Sequence, residues 1–373
     1  MERNKLMTAR IALAIATLVG TSLALAGDGK SLPGNNGNGN GGCGVGQQTN
    51  GCNTPTPPVL TEPSGPLPIN GDVPAGAEAS FDPVYNVCRG VDPRCYHNWL
   101  PNRAKNKVLI FTRTAGPRHA NLGTKLAAGR NPALGPNNLL QNTLIAWMAE
   151  VGVTADWTED ITQLSNLNNY AAVIFANNSR DAMWKHGTPS ATDAVNTTTS
   201  AYLDAGKVLL RQYVRAGGGF VAIHNAYGTE YNWPWYEGLL GNANYYDHGA
   251  YQAGDVVIVN KDSSTDGVPA RFAFRDEWYN LQPYPTRVKF LARVDDSTLA
   301  NRGGVHPGHG DFHPVAWCQY YDGGRAWLTT LGHDPAAFGD TSVIDATGRA
   351  AIKQIIVNGI LSAMGNKPFC TQS

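Results

Sequence analysis

Histidines and carboxylates in this chain of 373 residues fall repeatedly at the ends of apolar runs. Arg118-His119 follows an apolar run through a Gly-Pro turn, and His224 ends Phe220-Val221-Ala222-Ile223 with Glu230 a short way on. Asp247-His248 lies among tyrosines, Asp276-Glu277-Trp278-Tyr279 precedes another strand, His313 opens Pro314-Val315-Ala316-Trp317, and Gly332-His333-Asp334 follows the last apolar run. Imidazole and carboxylate side chains together can take and return protons on a polar substrate. The same groups suit zinc or a similar ion, so a divalent metal is the second chemistry, with no ligand set singled out. The catalytic candidates are His224, Glu230, Glu277 and His333. Arg118, His119, Trp233, Trp235, Tyr236, His248, Trp278, Tyr279 and His313 are the candidates for holding substrate, since aromatic faces and side-chain donors suit sugars.

These groups can cooperate only if the fold brings them to one edge. Segments 108–112, 153–157, 171–176 and 219–223 are short apolar runs bounded by turn signals, the pattern of buried strands. Segments 138–151 and 201–216 keep helical spacing, and Gly217 stops the second. This alternation predicts a doubly wound α/β sheet, mostly parallel, with helices on both faces. Ligands of such sheets bind at the carboxyl ends of the strands, where His119, His224 and their neighbours stand. Segments 256–259, 288–294, 315–320 and 326–331 lack long helices between them; the last two flank Tyr321-Asp322-Gly323-Gly324 and predict an added antiparallel hairpin. A helix over 346–364 closes the chain, and no internal repeat is present.

Composition narrows the function classes. Net charge is zero and no basic stripe occurs, which argues against nucleic acid and electrostatic membrane docking. Nine Trp and fifteen Tyr fit a small-molecule carbohydrate partner better. Arg3, Lys5 and Arg10 precede an apolar run ending in Ala24-Leu25-Ala26, so residues 1–26 read as a signal peptide of a secreted or periplasmic bacterial protein, free of the membrane after cleavage. Residues 27–104 read as a Gly/Asn/Pro-rich linker with local disulfides, Cys43–Cys52 and Cys88–Cys95; Cys318 and Cys370 remain and can pair, though sequence alone does not set the connectivity. A zinc site from Cys88, Cys95 and His97 is the alternative for that stretch. The folded domain is assigned to residues 105–373. Cys318 sits inside an apolar strand and no Gly-x-Ser-x-Gly elbow is present, so neither nucleophile is expected.

Taken together, Gly217-Gly218-Gly219-Phe220-Val221-Ala222-Ile223-His224, Thr229-Glu230-Tyr231, Trp233-Pro234-Trp235-Tyr236, Asp276-Glu277-Trp278-Tyr279-Asn280, His313-Pro314-Val315-Ala316-Trp317 and Leu331-Gly332-His333 resemble the ThuA-like (trehalose-utilisation) family. The resemblance implies a three-layer α/β/α sandwich, flavodoxin-like and related to class I glutamine amidotransferases. It also implies sugar catabolism, in particular of keto-disaccharides and keto-glycosides. Where the amidotransferases carry a nucleophilic cysteine after a Gly-flanked strand, this chain has His224, and His333 takes the place of their late catalytic histidine. An imidazole cannot replace a thiolate nucleophile, so glutaminase chemistry is not expected. The reading is a secreted enzyme cleaving a glycoside or keto-glycoside by acid–base chemistry. A non-catalytic carbohydrate-binding or cell-surface module on the same fold is the alternative. Nothing in the sequence sets an oligomeric state.

Overall fold

The computed structural model describes residues 78–100, 103–183, 200–302, 305–339 and 343–371. The signal peptide, Cys43, Cys52 and segment 184–199 lie outside the described residues. In chain order the strands are β1 (Phe81–Asp82), β2 (Val87–Gly90), β3 (Lys107–Phe111), β4 (Thr154–Thr158), β5 (Ala172–Ala176), β6 (Gly219–Ile223), β7 (Tyr245–His248), β8 (Gln252–Ile258), β9 (Arg271–Asp276), β10 (Tyr279–Leu281), β11 (Lys289–Val294), β12 (His313–Tyr321) and β13 (Gly324–Thr329). The α-helices are α1 (Leu139–Glu150), α2 (Ser200–Arg215), α3 (Pro234–Leu239), α4 (Pro335–Phe338) and α5 (Ala346–Met364).

One large sheet runs β4-β3-β5-β6-β13-β12-β11-β8-β9. Strands β4, β3, β5, β6 and β13 are parallel. The expected hairpin, β12 on β13, is there, and antiparallel pairing continues beyond it through β11, β8 and β9. Side chains alternate between the faces of a strand, so each strand feeds two cores. Val108, Ile110, Ile174, Val221 and Ile223 pack with Leu144 and Met148 of α1 and with Ile352, Ile355 and Ile356 of α5. Leu109, Phe111, Phe175 and Phe220 pack on the other face with Leu210, Tyr213 and Val214 of α2 and with Trp235, Tyr236 and Leu239 of α3. The result is a three-layer α/β/α sandwich.

Gly217 illustrates why the turn into β6 is spelled with glycine. Its φ is +95°, and a Cβ there would fall 1.8 Å from the His97 carbonyl oxygen.

The domain boundary differs from the one composition suggests. Residues 78–100 are part of the folded body, because β2 pairs antiparallel with β12. Arg89, 2% exposed, bonds to Asp82, Gln319 and Thr286. A local Gly/Pro-rich flavour hid this short strand, whose partners are distant in sequence. Cys88 and Cys95 form a disulfide, as do Cys318 and Cys370. The zinc alternative is thereby excluded: both sulfurs are bonded to each other, and His97 Nδ1 lies 2.8 Å from the Arg215 carbonyl.

Candidate functional site

The carboxyl ends of β3, β6 and β13 share one edge because these strands are parallel, with β5 between β3 and β6. His119 follows β3, His224 follows β6 and His333 follows β13. Their rings form a triangle, with centroids 5.0 Å (His119–His224), 5.1 Å (His119–His333) and 5.3 Å (His224–His333) apart. The fourth member comes from far along the sheet. Glu277 follows β9, and its Oε2 lies 3.0 Å from His333 Nδ1, 3.9 Å from His224 Nε2 and 3.5 Å from His248 Nε2. One nitrogen or oxygen from each of His119, His224, Glu277 and His333 falls within 4.8 Å of every other.

Local backbone explains how each side chain arrives. His224 has φ +48°, a left-handed conformation that turns the chain sharply from β6 into the 3-10 turn His224–Gly228. Such a residue is strained, and strain of this kind concentrates at functional sites. Its Nδ1 lies 2.7 Å from the Thr330 carbonyl oxygen, which can only accept, so Nδ1 carries the proton and Nε2 presents a lone pair. The Tyr279 hydroxyl donates to that Nε2 at 2.6 Å and has a second acceptor, Asn225 Oδ1, at 3.3 Å.

His333 is clamped through its backbone. Asp276 Oδ2 accepts from the Gly332 N–H at 2.7 Å, and Asp276 Oδ1 from those of His333 at 3.0 Å and Glu277 at 2.9 Å. Asn121 donates to the Gly332 and His333 carbonyls, and Asn177 donates to Asn121 and to Gly332. Asp276 ends β9, four places from β13 in the sheet, so the twisted antiparallel extension brings that distant end back over the parallel half.

Electrostatics sort the four groups into roles. Burial holds His224 well below its ordinary value, assisted by the neighbouring His119 and His333. Burial, with His333 beside it, lowers His119 to about 3. Burial would lower His333 as well, but the Glu277 carboxylate outweighs it and holds this imidazole above its usual value. Glu277 is lowered in turn, the facing histidines, His333 first, overcoming its own burial. Burial raises Asp276 to about 7 against the pull of His333 and three backbone N–H groups. The arrangement is thus two neutral imidazoles around a His333–Glu277 pair that favours its charged form. Exposure grows outward, from 0% for the His224 side chain to 16% for Glu277 and 26% for His333.

Other residues named from sequence lie elsewhere. Glu230 is buried with its carboxylate turned to the Met183 N–H, 2.5 Å, and to Lys207 Nζ, 3.1 Å; it is not among the four. Its φ of +53° turns the chain away just after the His224 turn. Arg118 spends its guanidinium on the Leu122, Gly123 and Thr124 carbonyls and on Glu159 at 2.7 Å. His313 is buried, with Nδ1 2.8 Å from Asp296 and Nε2 2.9 Å from the Tyr279 carbonyl. Trp235 and Tyr236 are core residues bonded to Asp322 and to the Ala226 carbonyl, with Trp233 stacked on Trp235 at 4.9 Å. Trp278 is buried and donates to the Gln252 carbonyl. His248 and Tyr279 do border the cluster. Sequence reading missed Asp276, Asn121 and Asn177 as clamps; Asn177 carried the same signal as His224, a polar residue directly after a buried strand.

A family model described as trehalose utilisation (ThuA) matches residues 107–352. The chain belongs to the ThuA family. Every member of the cluster falls inside the ThuA match. Among solved structures it is similar to a ThuA-like protein from Bacteroides uniformis, at 19% identity and TM-score 0.47, covering 69% of this chain and 91% of that one. A second ThuA-like protein, from Parabacteroides merdae, gives 16% identity and TM-score 0.46, covering 72% and 92%. A glutamine amidotransferase from Thermotoga maritima gives 11% identity and TM-score 0.37, covering 70% and 99%. No curated protein matches the chain.

Proposed function

We propose that this protein is a carbohydrate-processing enzyme that cleaves a glycoside or keto-glycoside at the His119–His224–Glu277–His333 cluster. ThuA membership supports a carbohydrate-related role. The observation that carries the chemistry is the His333–Glu277 pair, 3.0 Å apart at the open side of the cluster. His333, favoured in its protonated form, is placed to give a proton to a departing glycosidic oxygen. Glu277, favoured as the anion, is placed to accept one. On a 3-keto-glycoside the ring carbonyl acidifies the neighbouring C–H; removal of that proton expels the aglycone, and the acid protonates the leaving oxygen. Neutral His119 and His224 line the buried side and supply lone pairs and N–H donors for sugar oxygens.

The rival reading, a sugar-binding module, would want flat exposed aromatic faces. Trp235 and Tyr236 instead serve the core, which weighs against it. The two disulfides are consistent with a secreted or periplasmic location, and no helix among the described residues is long and apolar enough to cross a membrane. The test is turnover by the purified protein on keto-glycosides and their parent disaccharides. Release of the aglycone from either class supports the proposal; none from any of them overturns it.

A further inference from the structure

We propose that the same four residues form a divalent metal site, with His224 bound through Nε2, His333 through Nδ1, Glu277 through Oε2, and His119 as the fourth ligand. The inference rests on the reading of this cluster as the working centre; an ion on His333 Nδ1 and Glu277 Oε2 would take the place of the proton between them, so in the loaded site these two groups hold the ion instead of acting as the acid–base pair.

Three observations carry it. The first is spacing. Ligands about 2.1 Å from a common ion lie roughly 3.0–3.4 Å apart at adjacent positions and about 4.2 Å apart across an octahedron. The Glu277 Oε2 separations of 3.0 and 3.9 Å, and the limit of 4.8 Å for the whole set, need only small side-chain rotations to close on an ion.

The second is unspent nitrogen. His333 Nδ1 is buried and close to Glu277, yet not aligned for a hydrogen bond, and His119 Nδ1 is buried with no partner. Buried polar atoms left this way call for an explanation, and a bound ion is a standard one.

The third is tautomer control. A carbonyl on the Nδ1–H of a metal-binding histidine fixes the ring and leaves Nε2 to the ion, and Thr330 does this for His224. In the structure as it stands the Tyr279 hydroxyl occupies that lone pair. Its alternative acceptor, Asn225 Oδ1, lets it step aside without being stranded.

Three imidazoles and one carboxylate suit a borderline first-row ion such as zinc, and the harder manganese less well, rather than a soft one. A four-ligand set around an ion that accepts five or six donors leaves one or two positions open toward the exposed side of His333. Adjacent oxygens of a sugar, a ketone beside a hydroxyl, match that pair.

The test uses tag-free full chain stripped with chelator and titrated calorimetrically with zinc chloride and with manganese chloride, with metal content checked by elemental analysis. One equivalent per chain is expected, zinc binding tighter than manganese. His333→Ala and Glu277→Gln, both at the more exposed side, should weaken zinc by at least about 10–100-fold while circular dichroism stays that of the parent. Tyr279→Phe removes only the competing hydroxyl and should bind zinc as tightly or tighter. No retained metal, or unchanged affinity in both ligand variants, overturns the site. A loss in Tyr279→Phe as large as in His333→Ala overturns the assignment of His224. The two proposals separate cleanly: metal bound without turnover of any sugar leaves the site standing and sinks the function. Equal turnover by stripped and reloaded protein leaves the acid–base function standing and sinks the metal's part in it.

Discussion

Two groups of three histidines stand among the described residues, and they look alike by ring distance alone. His119, His224 and His333 sit about a ring-width apart at the carboxyl ends of the parallel strands. His306, His309 and His313 form a chain with centroids 4.7 and 4.8 Å apart before and at the start of β12. The second group even has the spacing in sequence that best imitates a ligand pair, His309 and His313. What separates the groups is where the nitrogens go. His313 spends both on Asp296 and the Tyr279 carbonyl, His309 Nε2 accepts from the Leu281 N–H, and His306 Nδ1 accepts from the Gly308 N–H. In the first group two Nδ1 atoms are buried and unspent, with a carboxylate aimed among them. A cluster of histidines is therefore read by its leftover valence, not by its density. The first group should lose activity when altered and the second stability, and each prediction below strikes at that division.

The largest effect is expected at Glu277. Glu277→Gln keeps the shape and removes the anion, so turnover should fall roughly 10²–10⁴-fold. Its melting temperature should stay within a few degrees of the parent, because site residues at the open side of a cluster are not placed for stability. Steady-state kinetics alongside a thermal melt measure both; a variant that melts early but keeps its rate per folded molecule would move Glu277 into the structural group.

His313→Ala should do the reverse. It empties a buried ring site and strands Asp296, whose carboxylate is buried with it. Losing a hydrogen-bonded partner to a charged group, plus the packing, costs about 2–4 kcal/mol. For a domain of this size that is a drop of roughly 5–15 °C in Tm. A variant that keeps its Tm and loses turnover instead would dissolve the distinction between the two groups.

How far the division could be seen in the sequence depends on the range of the forces involved. Strand and helix positions were legible because they rest on local periodicity: the run 171–176 is β5 (Ala172–Ala176), and 346–364 is α5 (Ala346–Met364). His119, His224, Glu277 and His333 were all named, since polar residues directly after buried strands gather at one edge. Their grouping, and the exclusion of Glu230 and His313, were not legible. Those turn on a left-handed φ at Glu230 and on the curl that carries β9 back to β13, both consequences of tertiary packing. Strand β2 was missed for the same reason, its partner β12 lying more than two hundred residues away, and β1 is held only by pairing with β2.

Asp276 tests whether the clamp matters to the first group. Asp276→Asn keeps the volume but offers one acceptor oxygen to the Gly332, His333 and Glu277 N–H groups instead of two. His333 and Glu277 should shift slightly, and a misplacement of that order costs roughly 10–100-fold in rate. The effect should appear in kcat with KM little changed, since no sugar contact is removed. A change confined to Tm would make Asp276 a core residue and nothing more.

The smallest effect concerns a carboxylate that titration alone would mistake for a catalytic one. Burial raises Asp181 to about 6, against the opposing pull of Lys207 and Arg180, in the region where Glu230 is also raised by burial. The sign follows from linkage. An unfolded aspartate titrates near 3.8, so between about pH 4 and 6 the folded chain binds more protons at this site than the unfolded chain does. Stability from this group is therefore fullest below about pH 4 and is lost as pH rises through about 6, by on the order of 3 kcal/mol. Asp181→Asn cannot ionise and should escape that loss, gaining stability over the parent at pH 7 but not at pH 4. Turnover should be untouched, because the side chain belongs to neither histidine group. Urea unfolding of both proteins at the two pH values isolates the difference, since every other titrating group is common to both. Equal pH dependence in parent and variant would show that Asp181 is ionised at no cost in the folded chain, and a loss of turnover would mean that the working site extends to the Glu230 region after all.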